Sequence, residues 1–362
     1  MHLSSLTLTD YRNFGEATLV VDPAGTTVVR GPNGAGKTNL LEAIGYLATL
    51  RSFRGAPREA MVRRGADSAV LRAEAQAGTR SLVVEAEIVV SGRSRLQVNR
   101  QSVRRRRDLH DALRCTVFSP HDISIVSGGP AERRSFLDET LDVVDPKLSQ
   151  DGDDMDRVLR QRNALLRDAH HRPRGEVASS LDVWDQRLAE VGTRVAETRE
   201  QLLEAVHPRL EAHYDRLAGK PSSVTARYVR SWHGLLDEAL VGHRDVDLAR
   251  GTTSVGPHRD DVELLLGELP ARTQASQGEQ RSLALALRLA GHQLATERLG
   301  EAPILLLDDV FSELDPGRRR GLMEGLPSGQ ALVTTAVEPP AEVTVARIVE
   351  VVEGRVLPME PE

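Results

Sequence analysis

Apolar and polar residues alternate through Leu3–Leu8 and again from Ala17 to Val21, and a β-branched run, TTVVR, follows at 26–30. Alternation puts every second side chain on one face, so each stretch is expected to be a strand. Glycine then dominates 31–36. Beyond it, Leu40, Leu41, Ile44, Leu47 and Ala48 recur at helical spacing, which predicts a helix over 39–50. Residues 82–98 read as a β-hairpin turning near Ser91-Gly92, and TVF at 116–118 reads as a buried strand.

From about 130 to 220 the β-branched runs thin out and Leu, Arg, Glu and Ala take over, so helices are expected. Leu181, Trp184, Leu188, Val191, Val195, Thr198 and Leu202 fall at steps of three and four, the seam of a packed helix pair. A helix over 181–210 would span roughly 45 Å. Its antiparallel partner is expected to carry Met155, Val158, Leu159, Leu165 and Leu166, with the reversal at 170–175. Both a projecting arm and an ordinary core pair fit this pattern. Strand texture returns in VTARYV, in DVELLLG at 261–267, in ILLL at 304–307 and in ALVTT at 331–335, with a helix from Gly278 to about Glu297 between them.

Composition narrows the function. The 362 residues suit about two domains, or one with an inserted arm, and 40% hydrophobic content excludes wholesale disorder. No apolar stretch approaches the roughly 18 residues that a bilayer span needs, and the first residues lack the pattern of a secretory signal. A single cysteine, Cys115, excludes an internal disulfide and points to a cytoplasmic setting. The net charge of −6 has the wrong sign for a protein that coats nucleic acid, so any DNA contact must be a local patch. Aromatic residues make up 3%, which favours contact to phosphates over stacking on bases.

Gly31-Pro32-Asn33-Gly34-Ala35-Gly36-Lys37-Thr38 fits the pattern G-x-x-x-x-G-K-[ST], directly after a strand and before a helix. Backbone N–H groups can wrap a phosphate where no side chain blocks approach, and the helix N-terminus adds positive potential. Gly31, Asn33, Gly34 and Gly36 would form that cradle. Lys37 would neutralise the β- and γ-phosphates, and Thr38 would ligate Mg²⁺. Ile304–Leu307 ends in Asp308 and Asp309, placing carboxylates at the carboxyl edge of a parallel sheet. There Asp308 would hold Mg²⁺, and Asp309 would orient and deprotonate the attacking water. Ser276-Gln277-Gly278-Glu279-Gln280 opens another helix and forms a second anion site. A second cradle elsewhere in the chain suggests that ATP is clasped between two molecules.

The stretch from Ser276 resembles the signature loop of ABC-type ATPases, and Ser312-Glu313-Leu314-Asp315 resembles their D-loop. The interval of 239 residues from Lys37 to Ser276 is longer than in transporter cassettes and shorter than in long coiled-coil SMC-type proteins. A short helical arm fits it. Over nearly its whole length the chain is similar to the RecF family, through Tyr11–Phe14, Phe118–Pro120 with Asp122, Gly128–Pro130 with Arg133 and Arg134, Phe136–Asp138, Arg162–Leu166 and Gly256–Asp261.

The resemblance implies an α/β ABC-type P-loop ATPase head with a mixed sheet and an inserted α-helical arm. The expected parts are an N-terminal lobe over 1–130, the arm over 131–220 and a C-terminal lobe over 221–362. It also implies an ATP- and Mg²⁺-dependent homodimer that binds DNA at gaps and duplex/single-strand junctions. Such a protein hydrolyses ATP weakly and works with RecO and RecR to load RecA in recombinational repair. In the resulting sandwich, Lys37, Asp308, Asp309 and Ser276 carry catalysis, and Ser276, Gly278, Glu279 and Asp315 join the loop residues around ATP. Two departures point to slow hydrolysis. Thr334-Thr335 stand where many ABC proteins have a switch histidine, and His121 stands between Pro120 and Asp122, where an acidic residue is expected in most relatives, with no lobe-coupling glutamine. The rival readings are a transporter cassette and a binding module whose nucleotide is structural.

Arg93, Arg95, Arg100 and Arg104, Arg105, Arg106 and Arg107 place seven arginines in fifteen residues, and Arg51, Arg54, Arg58, Arg63 and Arg64 add five. Arginine forks grip phosphate oxygens and release counterions, so these segments are the candidate DNA contacts, salt-sensitive and weakly sequence-selective. His170-His171 read as turn residues rather than a metal site. Arg133-Arg134 either line the nucleotide lobe or start a helix beside acidic neighbours.

Overall fold

The computed structural model describes residues 1–103, 109, 111–336, 338 and 344–359. It divides into two compact units. Unit 1 comprises Met1–Ile123, Arg209–Ser222 and Ser276–Glu362; unit 2 comprises Ser124–Pro208 and Ser223–Ala275.

Unit 1 holds two sheets. The first is antiparallel, and its strands are β1 (His2–Tyr11), β2 (Phe14–Val20), β4 (Ser68–Ala77), β5 (Arg80–Val89), β6 (Arg95–Val98) and β7 (Gln101–Ser102), in the order β2-β1-β4-β5-β6-β7. The second contains β3 (Thr26–Arg30), β8 (Cys115–Phe118), β12 (Ile304–Leu307), β13 (Ala331–Thr335), β14 (Val345–Val352) and β15 (Arg355–Met359), in the order β15-β14-β3-β13-β12-β8. Its pairs are parallel except the last hairpin, β14 with β15. The helix Lys37–Thr49 lies in the layer between the sheets. Its Leu40, Leu41, Ile44 and Leu47 are fully buried in one core with Leu3, Leu6 and Leu8 from β1 and with Ile304, Leu306 and Leu332 from the parallel strands. Each such leucine contributes about 1.5–3 kcal/mol.

The alternation at Leu3–Leu8 is a strand, as expected, with Leu3, Leu6 and Leu8 fully buried. The hairpin read over 82–98 is β5 with β6. Sequence alone does not mark β4, although it pairs along almost its full length with β1 and β5. Its alanines and charges carry little β-propensity, and pairing on both edges decides the conformation.

Unit 2 contains the helix pair. The helix Gln150–Asp168 runs antiparallel to the helix Arg174–Ala218, whose last ten residues belong to unit 1. Arg194 pairs with Asp151, Asp185 with Arg162, and Val177 and Leu181 pack on Leu165 and Leu166, so contacts descend one helix as they ascend the other. Leu181, Leu188, Val191, Val195 and Leu202 are buried, as the seam predicts. The long helix has 45 residues, about 67 Å. Strands β9 (Val224–Val229), β10 (Asp261–Leu266) and β11 (Leu269–Pro270) form a sheet within the same unit. Residues 223–275, which the sequence reading assigns to the C-terminal lobe, therefore cluster with the helices. Charged anchors hold them there: Arg133 bonds Asp261 at 2.6 and 3.0 Å, and Arg199 bonds Asp138 and the Pro257 carbonyl.

Candidate nucleotide site

The strand order brings three chain segments to one edge of the parallel sheet. β3 ends in the Gly31–Thr38 loop, β12 ends in Asp308 and Asp309, and β13 lies between them. Register places Leu307 opposite Val333, so Asp308 emerges beside Thr334. There the Thr38 hydroxyl donates to the Asp308 carboxylate, at 2.8 Å to Oδ1 and 3.1 Å to Oδ2. The Thr334 hydroxyl donates to Asp308 Oδ1 at 2.7 Å and accepts the Asp309 N–H at 2.8 Å. Burial raises the Asp308 pKa above the ordinary carboxylate value; the hydroxyls of Thr334 and Thr38 oppose that rise and the nearby Asp309 charge adds to it. A carboxylate whose hydrogen-bond partners are hydroxyls suits a divalent ion.

Lys37 is buried, and its ammonium donates to the carbonyls of Gly31 at 2.8 Å and Pro32 at 3.0 Å. Burial lowers its pKa, against the pull of Asp309 and Asp308. The Asp309 Oδ1 atom is buried with no hydrogen-bond partner among the described residues.

The loop glycines serve separate needs. A Cβ on Gly31 would lie 2.2 Å from the Val351 carbonyl oxygen of β14, so that position is dictated by packing. Gly36 has φ 116°, and its Cβ would strike Asn13 and Phe14 at 2.7 Å. Gly34 combines φ 81° with open space, as an approach for a ligand requires. Asn33 is exposed beside it.

The Tyr11–Phe14 segment buttresses this loop, a role its sequence does not reveal. Asn13 Nδ2 donates to the Ala35 carbonyl at 2.8 Å, and its Oδ1 accepts from Asn39 at 2.7 Å. Arg12 forms a two-pronged pair with the buried Glu42 of the following helix. Burial alone would raise the Glu42 pKa, but Arg12 and Ser52 hold it below the usual carboxylate value.

The signature segment forms a second cluster. Ser276 caps the helix Gln277–Leu299 in a capping box: its hydroxyl and N–H donate to Glu279 Oε2 at 2.7 and 2.9 Å, and it accepts from the Glu279 N–H. Those bonds lower the Glu279 pKa. Asp315 caps the next helix, Pro316–Gly325, by accepting the Arg318 N–H at 3.0 Å. Ser276 and Asp315 are exposed, and the structure joins Gly278 and Asp315 through Arg318 rather than to the Lys37 loop.

Thr334 thus fills with hydroxyl chemistry the neighbourhood where ABC proteins are expected to carry a switch histidine. His121 is exposed, while Asp122 beside it pairs with Arg288 at 2.5 Å. Arg133 and Arg134 bond Asp261 and the Asp260 carbonyl in unit 2, which resolves them as anchors beside acidic neighbours. His170 and His171 lie in an exposed turn. Arg93, Arg95 and Arg100 are exposed around the β5–β6 hairpin, while Arg104–Arg107 lie outside the described residues. Arg51, Arg54, Arg58, Arg63 and Arg64 are exposed, with Arg63 paired to Asp10 at 2.6 Å.

Among the described residues no group of three His, Cys, Asp or Glu side chains could hold a metal by itself. Thr38 and Asp308 fit Mg²⁺, which binds through one or two carboxylates and completes its shell with phosphate oxygens and water. No described helix is long and apolar enough to cross a membrane.

Comparison with known proteins agrees with this architecture. Residues 2–353 match the family described as RecF/RecN/SMC N terminal domain. The chain is 44% identical over 379 residues to the DNA replication and repair protein RecF of Frankia alni, covering 99% of both chains. It is 42% identical over 353 residues to that of Streptomyces avermitilis, covering 93% of this chain and 94% of the relative. A solved structure of the recombination mediator protein RecF with ATP, described in the RecFOR pathway, superposes with a TM-score of 0.90 at 28% identity over 99% of this chain and 98% of that one. By sequence and by fold, this chain belongs to the RecF/RecN/SMC N-terminal domain family, within its RecF branch.

Proposed function

We propose that this protein is an ATP-dependent DNA-binding protein of replication and recombinational repair, whose two copies close on DNA around shared ATP. The observation that carries the reading is the Thr38–Asp308–Thr334 cluster at the mouth of a phosphate-binding loop. The names of the RecF relatives support it, as does the fold shared with a RecF solved with ATP and described in the RecFOR pathway.

Lys37 exchanges the carbonyls of Gly31 and Pro32 for the β- and γ-phosphates, and the open face at Gly34 admits the chain of phosphates. Thr38 and Asp308 would hold Mg²⁺, which would neutralise charge on the β- and γ-phosphates. Asp309, with one oxygen unpartnered, orients the attacking water and accepts its proton. Thr334 fixes both aspartates, at Asp308 by its hydroxyl proton and at Asp309 through the backbone.

Ser276 and Gly278 of a second protomer cover the γ-phosphate, with Glu279 and Asp315 beside them. Two heads share the anion while it is present, and hydrolysis removes what joins them. A site without a switch histidine at Thr334-Thr335, whose Thr334 hydroxyl is engaged by Asp308, suits weak hydrolysis. Arg93, Arg95 and Arg100, with Arg104–Arg107, contact DNA phosphates at gaps or junctions, and RecO and RecR are the protein partners. A transporter role finds no support in these relatives.

The test is affinity for a gapped duplex with and without ATP. ATP tightens binding of the wild type, and Lys37→Ala and Ser276→Arg abolish the gain; equal affinity with and without ATP in the wild type overturns the reading. Arg105→Glu with Arg106→Glu weakens DNA binding and leaves ATP affinity intact.

A further inference from the structure

Gly278 sits one residue into the helix that follows Ser276, and the space a side chain would fill there is occupied. A Cβ on Gly278 would lie 2.3 Å from Arg318 Nη1, so the guanidinium rests directly on the glycine. Arg318 reaches this seat from the helix that follows Asp315, tethered by a 3.2 Å pair between its Nε and Asp315 Oδ2. The Arg318 side chain is 24% exposed.

The surrounding charges show what this arrangement accomplishes. The hydroxyl and N–H of Ser276 are both spent on the Glu279 carboxylate. In this arrangement neither Ser276 donor is free for a phosphate, and the Glu279 carboxylate that holds them would repel one. Docking needs a cation at the same spot. Arg318 supplies it by position: its charge and that of Lys220 both act on Glu279, but it is Arg318 that is seated on Gly278, the surface a second protomer's nucleotide would cover. On the other side of the sandwich, β13 presents Thr334 and Thr335 and Lys37 is the cation of the loop. That side has no second positive side chain from β13.

We propose that Arg318 is the cation each protomer carries to the γ-phosphate held by the other protomer's Lys37 and Thr38, exchanging Asp315 for phosphate when the two copies close. This rests on the sandwich reading above. The planar guanidinium fork matches phosphate oxygens in pairs, which a lysine does not. A charge that arrives with the second protomer acts only in the closed state, where it stabilises negative charge developing on the transferred group. Arginines delivered in this way accelerate phosphoryl transfer by about 10³–10⁵-fold. Gly278 is then required as a seat for the guanidinium as well as for close approach of phosphate.

The test uses the full chain and two readouts, solution mass by light scattering and phosphate release, both with ATP and Mg²⁺. Arg318→Ala reduces the ATP-dependent dimer at least tenfold and hydrolysis at least about a hundredfold, while Arg318→Lys recovers part of the dimer. Arg318→Gln keeps length and polarity, so a wild-type melting temperature with a lost dimer assigns the defect to charge. The decisive step mixes Arg318→Ala with Lys37→Ala. A mixed pair joins the intact loop of the first to the intact Arg318 of the second, so dimer and hydrolysis return above either variant alone. No recovery between folded variants, or a full ATP-dependent dimer of Arg318→Ala or Arg318→Gln, overturns the assignment while the wild type still dimerises. A wild type that stays single with ATP overturns the sandwich itself and the assignment with it.

Discussion

In unit 1, Lys37 donates to the carbonyls of its own loop and Asp308 accepts from hydroxyls, whereas in unit 2 Arg162 is gripped by full charges on two sides. Arg162 is fully buried; its Nε bonds Asp185 at 2.7 Å, and its Nη1 bonds Asp247 at 2.7 Å and Thr253 at 2.9 Å. Asp185 also accepts from Arg244, and Asp247 from the Ser254 N–H, so opposite charges surround Arg162 although its Nη2 has no hydrogen-bond partner among the described residues. The contrast separates two uses of a buried charge. Neutral partners can be exchanged for an incoming anion or cation, whereas removing one member of a buried ion-paired set leaves an uncompensated charge. At the Gly31–Thr38 loop, Lys37 and Asp308 are held by such neutral partners, as the proposed ligand site requires. Unit 2 uses its buried charges to fix the helices Gln150–Asp168, Arg174–Ala218 and Arg244–Arg250 against one another.

The sharpest way to break that contrast is Arg162→Ala, which leaves Asp185 and Asp247 buried without their cation. Stability falls by about 3–5 kcal/mol, read by urea denaturation, with ATP affinity of the remaining folded protein little changed. Lys37→Ala gives the opposite pattern. ATP affinity drops about a hundredfold, equivalent to about 2.7 kcal/mol, read by equilibrium dialysis, while the melting temperature without nucleotide stays near that of the wild type. If Lys37→Ala instead unfolds the chain, the lysine is a structural charge like Arg162 and the distinction between the units fails.

How much of this is legible in the sequence depends on the distance between partners along the chain. The loop at 31–38 and the Ile304–Asp309 strand are legible because their chemistry is local: each needs one strand end and a few residues beyond it. The seam at 181–202 is legible for the same reason. The Arg162 lock is not, because Asp185, Asp247 and Thr253 lie 23, 85 and 91 positions away. Arg133 likewise finds Asp261 across 128 positions, so the clustering of residues beyond 223 with the helices leaves no local mark. At Thr334 the sequence shows only that a histidine is absent. Its hydroxyl bridge to Asp308 and Asp309 exists because β13 lies between β3 and β12.

Acid provides a graded test of both units. His213 and His292 in unit 1 and His258 in unit 2 are pushed down to about 4, first of all by burial. Their folded values lie below the unfolded value near 6.5, so the unfolded chain takes up protons first. Stability is complete above pH 6.5 and is lost as pH falls toward 4, by about 1.4 kcal/mol per pH unit for each histidine. Melting temperature against pH checks this, and His292→Gln makes the curve shallower. A flat curve between pH 6.5 and 4 contradicts the burial of these neutral rings.

The smallest effect on stability is expected at the exposed arginines. Arg93→Glu with Arg95→Glu changes stability by less than about 0.5 kcal/mol, since Arg95 meets Glu87 only at 3.8 Å in a solvated pair. DNA affinity falls, and the slope of log affinity against log salt shrinks by about two. An unchanged slope removes this hairpin from the DNA surface.

The central claim is that ATP joins two copies of this chain, and solution mass measures it most directly. The account predicts a single-chain mass without nucleotide and twice that mass with saturating ATP, Mg²⁺ and a gapped duplex, with Ser276→Arg binding ATP but remaining single. A wild-type mass that does not change on adding all three would contradict it.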